Sequence, residues 1–168
     1  MRLILLKRLL IVGALFVTTT PACAHDAVVS NLIATYSTPE MKALSESQQR
    51  EIACTALAVY HESKGQPERG QSAVAHVIQN RVANPKFPNT ACGVVFQRWR
   101  GRAQFVFINY GPQRLMPRIS SAWKTAVRVS IAALHGNSGD PTNGAKFFRN
   151  VRVGGRSGMT IGAHIFTK

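Results

Sequence analysis

The sequence predicts a mostly helical α+β domain with a small β region near its end. Three long segments, 45–64, 68–84 and 121–135, place apolar residues at the three- and four-residue spacing of a helix. Two short segments, 145–148 and 160–166, are expected to pair as strands. The chain has 168 residues, enough for one domain with its own core, and shows neither an internal repeat nor a low-complexity stretch.

The first 24 residues are predicted to be a secretory signal peptide. Three basic residues lie among the first eight, an unbroken apolar run covers 9–17, and residues 22–24 have the small-x-small form of a signal-peptidase site. The apolar run is too short to span a membrane. Cleavage after residue 24 predicts a periplasmic or secreted protein without a stable membrane anchor. The alternatives are an uncleaved N-terminal anchor and a lipoprotein anchor at Cys23, which lacks the expected preceding leucine.

The remaining chain divides into two regions. Residues 25–44 carry few strong signals and are expected to be a loosely held arm, whereas 45–168 is expected to be the main domain. Of the 21 lysines and arginines, three lie in the signal peptide, so 18 remain against 7 acidic residues, a net charge of +11. Such charge concerns partners rather than fold, and outside the cytoplasm it favours anionic polymers such as the cell wall. The signal peptide argues against nucleic acid as the partner.

The first long helix holds the principal candidate for catalysis. Ser45 is expected to be its N-cap, because Gln48 follows at the spacing of a capping box, and Gly65 is expected to end it. Glu62 then lies in the last turn. Its helix face also carries small and apolar residues: Thr55, Ala58 and Val59.

This position is unfavourable for a carboxylate anion. The partial negative charge at a helix C-terminus and partial burial both disfavour ionisation. We therefore expect the pKa of Glu62 to be raised, toward the protonated form that a general acid needs.

A second long helix and a short third helix are expected to follow the first. The second long helix starts after a break at 65–67 and is expected to stop near Asn84, because the proline at 85 disfavours helix in the residue before it. Asn89 or Thr90 is expected to start a short third helix that holds Cys92.

Two cysteines remain after cleavage of the signal peptide. In an oxidising compartment Cys54 and Cys92 are expected to form a disulfide bond, which would join the first and third helices. The closed loop of 39 residues corresponds to about 4 kcal/mol of chain entropy. The alternative is two separate buried thiols.

The second half of the chain begins with a basic, aromatic loop over 98–102, and the run 104–107 is expected to be a short strand. The last long helix ends at Gly136, and turn-forming residues fill 137–144. The residues expected to face inward on that helix are Trp123, Val127, Ile131 and Leu134.

Acidic side chains are scarce, and this scarcity limits the possible chemistry. Four of the seven acids lie before residue 52, so Glu62 is the main candidate, with Glu68 and Asp140 as conceivable helpers. Glu68 is better placed to stabilise a helix start. Ordinary glycosidases use two carboxylates. A single candidate favours lytic transglycosylation, in which the 6-hydroxyl of muramic acid attacks its own anomeric carbon after the acid protonates the glycosidic oxygen.

Short stretches distributed in order along 50–168 also match a known pattern. They are 54–68, 70–75, 78–82, 87–97, 104–105, 140–148 and 161–166. Together they resemble the SleB-type cell wall hydrolase family, the spore cortex-lytic enzymes and their relatives in bacteria that form no spores. The resemblance implies a lysozyme-like or transglycosylase-like α+β catalytic domain over 45–168. It further implies cleavage of the MurNAc–GlcNAc bond of peptidoglycan glycan strands to leave 1,6-anhydro-muramic ends, with Glu62 as the catalytic glutamate.

Two departures from the family pattern concern the expected cleft. Ser63 and Lys64 stand where the family often has Ala-Arg, and Val106 stands where a serine is common. We therefore expect this chain to differ from the family in how it contacts its substrate.

Five further residues are candidates for substrate binding. Gln97, Gln104 and Phe105 are expected to contact sugar by hydrogen bonds and stacking, with ordinary strand packing as the alternative. Tyr60 and His164 either reach the cleft or belong to the core. The basic loop at 98–102 is either a substrate-facing ridge or a solvated loop.

No metal or cofactor is predicted. His61 and Glu62 would begin a zinc motif of the form H-E-x-x-H, but residue 65 is glycine. The expected partner is the peptidoglycan glycan strand, bound by a monomer. Two other functions stay open: a hydrolytic muramidase of the same fold, in which water attacks, and a non-catalytic cationic cell-wall-binding module.

Overall fold

The structure is a computed structural model that describes residues 24–153 and 157–168. The predicted signal peptide and Cys23 lie outside the described residues, apart from Ala24. The helices are α1 (Ala24–Tyr36), α2 (Pro39–Lys42), α3 (Glu46–Ser63), α4 (Glu68–Val82), α5 (Ala91–Val95), α6 (Pro112–Leu115) and α7 (Ser121–Leu134). The strands are β1 (Arg98–Trp99), β2 (Arg102–Ala103), β3 (Phe147–Asn150), β4 (Met159–Ile161) and β5 (His164–Thr167), and 3-10 turns cover Val106–Asn109 and Val151–Val153.

Helix α3 is the centre of the fold, and its ends are where the sequence predicts them. The Ser45 hydroxyl accepts a hydrogen bond from the Gln48 backbone, and the Gln48 side chain accepts one from the Ser45 backbone (3.2 Å). Gly65 adopts a left-handed φ of 86° just beyond the helix, a conformation that favours glycine. Every residue from Ile52 to Tyr60 is buried, because α1, α4, α5 and α7 pack around the helix.

The segment expected to be a loosely held arm instead packs on the core, so that expectation is wrong. Val29 and Leu32 of α1 and Met41 of α2 are buried, and α1 contacts α3. The Trp123 indole also donates a hydrogen bond to the Tyr36 carbonyl (2.7 Å). Val28, Ile33 and Tyr36 pack beside Val29 and Leu32 at helical spacing, but only the neighbouring helices show what this face packs against.

The predicted disulfide bond between Cys54 and Cys92 is confirmed, with an S–S distance of 2.02 Å. It joins the buried side of α3 to α5, whose N-cap is Thr90, one of the two predicted starts. The Glu51 carboxylate accepts a hydrogen bond from the Ala91 backbone (2.6 Å), which adds a second link between the two helices.

The β region consists of two small antiparallel sheets. In the first, Arg98 pairs with Ala103 and Trp99 with Arg102, so the predicted basic loop is a tight hairpin. Its two turn residues, Arg100 and Gly101, both have positive φ, which is typical of a type I′ turn. In the second sheet β5 lies between β3 and β4, so the predicted pairing near the end of the chain is confirmed, with an additional strand break at Gly162.

The predicted strand at 104–107 is wrong. Val106–Asn109 is a 3-10 turn in which Phe105 and Phe107 are buried and Val106 is 69% exposed. Phe105 and Phe107 both reach the core from this segment, and Phe107 stacks on His61 at 4.7 Å between ring centroids. The described residues contain no helix long and apolar enough to cross a membrane.

Asp140 connects the turn-rich segment before β3 to helix α4. Its carboxylate accepts hydrogen bonds from the Thr142 backbone (2.8 Å), the Thr142 hydroxyl (2.7 Å), the Gly144 backbone (2.7 Å) and the Asn80 amide (2.9 Å). Burial alone would raise the pKa of Asp140, but these hydrogen bonds outweigh it and lower the pKa to about 2. Asn80 therefore ties α4 to the loop that holds Asp140.

The Asp140→Ala variant is expected to lose about 2–4 kcal/mol of unfolding free energy, because four donors lose a charged acceptor. Since the folded pKa is depressed, this stabilisation is present above the ordinary pKa of 3.8 and is lost as the pH falls toward about 2. Denaturant unfolding of wild type and variant at pH 7 and pH 3 measures both effects. Asp26→Ala is the control, since its exposed pair with Arg50 should contribute less than about 1 kcal/mol. Equal stability of the two variants would contradict the role of Asp140.

Candidate active site

A cleft of about 350 Å³ lies at the C-terminal end of α3. It is formed by α3, α4, the segment after the β1–β2 hairpin, and strands β3 and β5. Its lining residues are Glu62, Arg81, Gln104, Phe105, Val106, Phe148, Arg149, Asn150 and His164. Glu62 is the one acidic residue in this lining, so acid–base chemistry in the cleft depends on it.

A larger groove of about 560 Å³ lies elsewhere, between α1, α2 and α7. Its acidic residue is Glu40, which is exposed and has a lowered pKa because of a hydrogen bond with Thr38. A carboxyl held in the ionised form is a poor general acid. The cleft at the end of α3 is therefore the better candidate for catalysis, although its volume is smaller than that of the groove.

Glu62 has the environment expected of a general acid. The side chain is partly buried, and burial raises the pKa of its carboxyl, which confirms the predicted direction. No hydrogen bond or ion pair to its carboxylate is present among the described residues. The carboxyl is thus available to a ligand, and its proton is held more tightly than that of an exposed glutamate.

Arg81 is the second buried charge of the cleft. Its Nε donates a hydrogen bond to the Lys146 carbonyl (2.6 Å), and its guanidinium lies 5.4–5.6 Å from the ring centres of Phe87, Phe105 and Phe147. Burial lowers the pKa of Arg81 to about 10, so the group is still a cation at neutral pH. Its Nη1 is buried without a hydrogen-bond partner among the described residues.

A second buried nitrogen without a hydrogen-bond partner lies at the same cleft and belongs to His164. The side chain is 6% exposed, and its ring packs edge-on against Phe148 (5.2 Å between centroids) and Phe166 (6.1 Å). Its Nδ1 is buried without a partner in the described chain. Burial lowers the pKa of His164, so the imidazole is neutral at neutral pH and offers one donor and one acceptor. Leaving such atoms unpaired is costly, and a bound ligand would relieve that cost.

A side-chain hydrogen bond places His164 beside the end of α3. The Gln66 side chain, just after α3, accepts a hydrogen bond from the Ala163 backbone (2.9 Å). Gly162 precedes it with a φ of 57°, and a Cβ there would lie 2.6 Å from the Gln66 oxygen. A residue with a side chain at 162 would therefore push the Gln66 side chain away and break its hydrogen bond with the Ala163 backbone.

Two other contacts hold the 105–118 segment against α3. The His61 ring donates a hydrogen bond from Nε2 to the Leu115 carbonyl (2.8 Å), and the Tyr60 hydroxyl accepts one from the Arg118 backbone (3.2 Å). Both residues immediately precede Glu62. The wall of the cleft that carries Phe105 and Val106 is thus attached to the helix that carries the acid.

The structure brings together some of the predicted site residues. Gln104, Phe105 and His164 line the same cleft as Glu62. Tyr60 is instead 6% exposed and packs against Trp123, and Gln97 accepts the Gln104 backbone hydrogen bond (3.1 Å) through its carbonyl; neither residue belongs to the lining. Val106, at one of the two departures from the family pattern, does line the cleft.

Four lining residues were not among the predicted substrate contacts: Arg81, Phe148, Arg149 and Asn150. Arg81 ties α4 to a loop through its hydrogen bond to the Lys146 carbonyl, and the sequence does not indicate that it also borders the cleft. The other three belong to β3, whose orientation depends on pairing with β5. Within 24–153 and 157–168, no cluster of three or more histidine, cysteine or acidic residues is arranged to hold a metal ion.

The sequence of this chain is similar to those of known proteins. A sequence model of the Cell Wall Hydrolase family matches residues 65–167. The chain is similar to the spore cortex-lytic enzyme of Bacillus cereus, with 38% identity over 127 residues, 71% of this chain and 45% of that protein. It is also similar to the spore cortex-lytic enzyme of Bacillus subtilis, with 31% identity over 156 residues, 88% of this chain and 44% of that protein. The chain thus spans less than half the length of these curated relatives.

Solved structures give the same result for the fold. The catalytic domain of the germination-specific lytic transglycosylase SleB from Bacillus anthracis superposes with a TM-score of 0.56 at 33% identity, covering 74% of this chain and 97% of that domain. The catalytic domain of the Bacillus cereus SleB protein gives 0.57 at 34% identity, covering 74% and 91%. The mostly helical α+β fold predicted from the sequence is confirmed.

Proposed function

This chain belongs to the cell wall hydrolase family, and we propose that it cleaves peptidoglycan glycan strands as a lytic transglycosylase with Glu62 as its acid. The observation that carries the proposal is a cleft whose described lining holds one carboxyl group, with a raised pKa, and no second carboxylate. Glycosidases that activate water or form a covalent intermediate need a pair of carboxylates about 5–9.5 Å apart. A reaction in which the substrate supplies its own nucleophile needs one.

The proposed reaction balances on Glu62 alone. The protonated carboxyl gives its proton to the oxygen that joins MurNAc to GlcNAc, and the bond between that oxygen and the anomeric carbon of MurNAc breaks. The 6-hydroxyl oxygen of the same MurNAc bonds to the anomeric carbon, and its proton passes to the Glu62 carboxylate. The products are a free GlcNAc hydroxyl and a 1,6-anhydro-muramic end, and Glu62 is again protonated.

A hydrolytic muramidase is the alternative that differs least, since it uses the same substrate and acid. Water would then attack the anomeric carbon, which requires a base or a nucleophile opposite the acid. His164 is neutral at neutral pH because burial lowers its pKa, but its Nδ1 is more readily explained as a sugar contact than as a base, since no carboxylate among the described residues orients the ring.

Mass spectrometry of the products tests the proposal. Purified sacculi digested with the mature protein should release muropeptides with anhydro ends, which are lighter than reducing ends by one water. Reducing ends as the main product would replace the proposal with the muramidase. Sacculus binding without any released product, abolished by salt, would support the non-catalytic cationic module instead.

Around Glu62, we propose that Gln104, His164 and Arg81 bind the sugar directly and that Phe105 contributes by supporting them. The His164 Nδ1 and Arg81 Nη1 are buried polar atoms without partners at the cleft, and hydroxyl or acetamido groups of a sugar would satisfy both. Phe105 is buried beneath this surface and supports the Arg81 guanidinium. For Tyr60 and Gln97 we propose an indirect contribution, since both support the wall of the cleft from outside its lining.

The His164→Phe variant is expected to lower kcat/KM on glycan strands roughly tenfold, the effect of one lost hydrogen bond of about 1.4 kcal/mol. Its thermal stability should be unchanged or higher, because the substitution removes an unpaired buried nitrogen from a site already surrounded by Phe148 and Phe166. Asparagine at the same position places a polar atom close to Nδ1 and should restore part of the activity. A parallel loss of activity and stability would instead mean that His164 has only a structural role.

We further propose that the protein acts outside the cytoplasm, after removal of residues 1–24, as a periplasmic or secreted monomer with peptidoglycan rather than nucleic acid as its partner. The disulfide bond between Cys54 and Cys92 supports an oxidising compartment. N-terminal sequencing of the protein from the periplasm or medium would locate the cleavage site.

A further inference from the structure

The β1–β2 hairpin lies at the edge of the cleft and is strongly basic. It carries Arg98, Arg100 and Arg102 around an exposed Trp99 (64%), and β2 leads directly into Gln104 and Phe105 of the cleft lining. The hairpin is therefore covalently continuous with the cleft wall and within one or two residues of it.

A hydrogen bond links the hairpin, which carries the pair of Arg100 and Trp99, to the segment that carries the pair of Arg114 and Tyr110. Arg98 donates from Nη1 to the Gly101 carbonyl (3.1 Å), which braces the hairpin, and from Nη2 to the Asn109 side chain (3.2 Å). Asn109 is followed by Tyr110, whose ring lies 5.0 Å from the Arg114 guanidinium and 5.9 Å from the His61 ring, next to Glu62 in the chain. On the hairpin itself, the Arg100 guanidinium lies 6.0 Å from the Trp99 ring centre.

These six residues form what we call the basic ridge. Its members are Arg98, Trp99, Arg100, Arg102, Tyr110 and Arg114.

The acidic residues of the chain leave the basic ridge unneutralised. Asp26 pairs with Arg50 and Glu68 with Arg128, while Asp140, Glu51 and Glu40 are bound to neighbours elsewhere. Glu46 lies in the first turn of α3 and Glu62 in the cleft. No ion pair in the described part of the chain includes an arginine of the ridge. Four cations beside a cleft, without a carboxylate of their own, favour an anionic ligand.

We propose that the basic ridge binds the carboxylates of the stem peptides that peptidoglycan carries on its muramic acid residues. This inference rests on the proposed glycan-strand substrate. Where a stem peptide is attached, the lactyl carboxyl of muramic acid is held in an amide bond and the N-acetylated sugars are neutral, so the carboxylates of the peptides are the anions that accompany the strand into the cleft. A planar guanidinium is suited to bind a carboxylate through two parallel hydrogen bonds. The ridge would thus select strands that still carry peptides.

The experiment measures binding, so that it does not depend on catalysis. Sacculi are prepared intact and after carbodiimide coupling to glycinamide has converted their peptide carboxylates to neutral amides (blocked sacculi), and Kd is measured by co-sedimentation with protein made silent by Glu62→Gln. The silent protein should bind intact sacculi roughly 5- to 20-fold more tightly than blocked ones, as expected for two or more exposed charge pairs. Adding Arg100→Gln and Arg102→Gln should reduce this ratio to about 1, and high salt should do the same.

A matched control carries the same change in charge away from the ridge. Lys42→Gln with Lys124→Gln removes two exposed cations from α2 and α7, whose groove shares no lining residue with the Glu62 cleft, and should keep the preference for intact sacculi. The single variant Arg102→Gln tests whether the double substitution acts only by unfolding the hairpin, because Arg102 is not in the left-handed turn. It should lower the ratio partway.

Three results would overturn the inference. The first is a ratio that does not respond to the ridge substitutions, and the second is an equal decrease of the ratio in the control. The third is tight binding to blocked sacculi that is lost when the ridge is mutated. In the third case the ligand is the glycan itself. Binding to vesicles of anionic phospholipid is measured in parallel, and tighter binding to the vesicles than to intact sacculi would identify a membrane surface as the ligand. None of these results bears on the product analysis, so failure of the ridge and failure of the transglycosylase proposal are distinguishable.

Discussion

Replacing Glu62 with glutamine is expected to lower the rate of glycan cleavage by about 1,000-fold or more, while the protein stays folded. General acid catalysis contributes roughly 10²–10⁴ to a rate, and the described cleft contains no other carboxyl group to replace it. Glutamine has nearly the same shape but cannot give up a proton at neutral pH. Release of soluble muropeptides from sacculi, quantified by chromatography, measures the loss.

The stability of this variant provides a second, independent readout. Because burial raises the pKa of Glu62, the folded state disfavours the ionised form. The cost is fully present above the folded pKa and disappears as the pH falls to the ordinary value of 4.5. Glu62→Gln should therefore be as stable as wild type at pH 4 and more stable at pH 8. A lower melting temperature at pH 8 would contradict the account of the site.

The pH dependence of the wild-type enzyme follows from the same shift. Cleavage requires protonated Glu62, so kcat/KM should fall as the pH rises through the raised pKa. Glu68→Gln is the matched control: Glu68 is exposed, pairs with Arg128 on the surface, and should leave rate and pH profile unchanged. If Glu62→Gln released muropeptides at the wild-type rate, Glu62 would not be the acid.

Loss of the disulfide bond between Cys54 and Cys92 is expected to produce the largest change in stability. Opening a loop with a sequence separation of 38 returns conformational entropy to the unfolded chain, a cost of about 4 kcal/mol in the chain-entropy model. For a domain of this size that corresponds to a decrease in melting temperature of roughly 10 °C or more. Calorimetry of the Cys54→Ala, Cys92→Ala double variant measures it.

Reduction of the wild type supplies the control for the double variant. The reduced protein should unfold at a similar temperature to the variant, and the reductant should have no effect on the variant itself. The hydrogen bond between Glu51 and the Ala91 backbone remains, so α5 should stay near α3 and activity at low temperature should survive. An unchanged melting temperature on reduction would show that the bond contributes nothing to the fold.

Local sequence signals account for the features of this protein that could be predicted: helix ends, the candidate acid and the disulfide bond. The ends of α3 and the start of α5 follow from Ser45, Gly65 and Thr90, each of which acts through hydrogen bonds or a φ value within three residues of itself. The choice of Glu62 as the candidate acid depended on the shortage of other carboxyl groups and on a motif contained in one helix. The disulfide bond needed no spatial reasoning, because two cysteines remain after the signal peptide and permit one pairing.

The remaining features depend on contacts between distant parts of the chain. Whether 104–107 becomes a strand is decided by the burial of Phe105 and Phe107 against residues far away in sequence, and a propensity for strand does not contain that information. The packing of residues 24–44 depends likewise on α3 and α7.

The sequence by itself determined the helical α+β class and the disulfide bond and singled out Glu62 as the candidate acid, because each is encoded within a single element or by a count of residues. Only the tertiary structure decided what surrounds Glu62. Arg81 comes from α4, Asn150 from β3 and His164 from β5, and they line one cleft because the register between β3 and β5 and the bond from Gln66 to Ala163 place them there. A cleft assembled from separate elements is defined by long-range packing, which the local pattern of no one segment specifies.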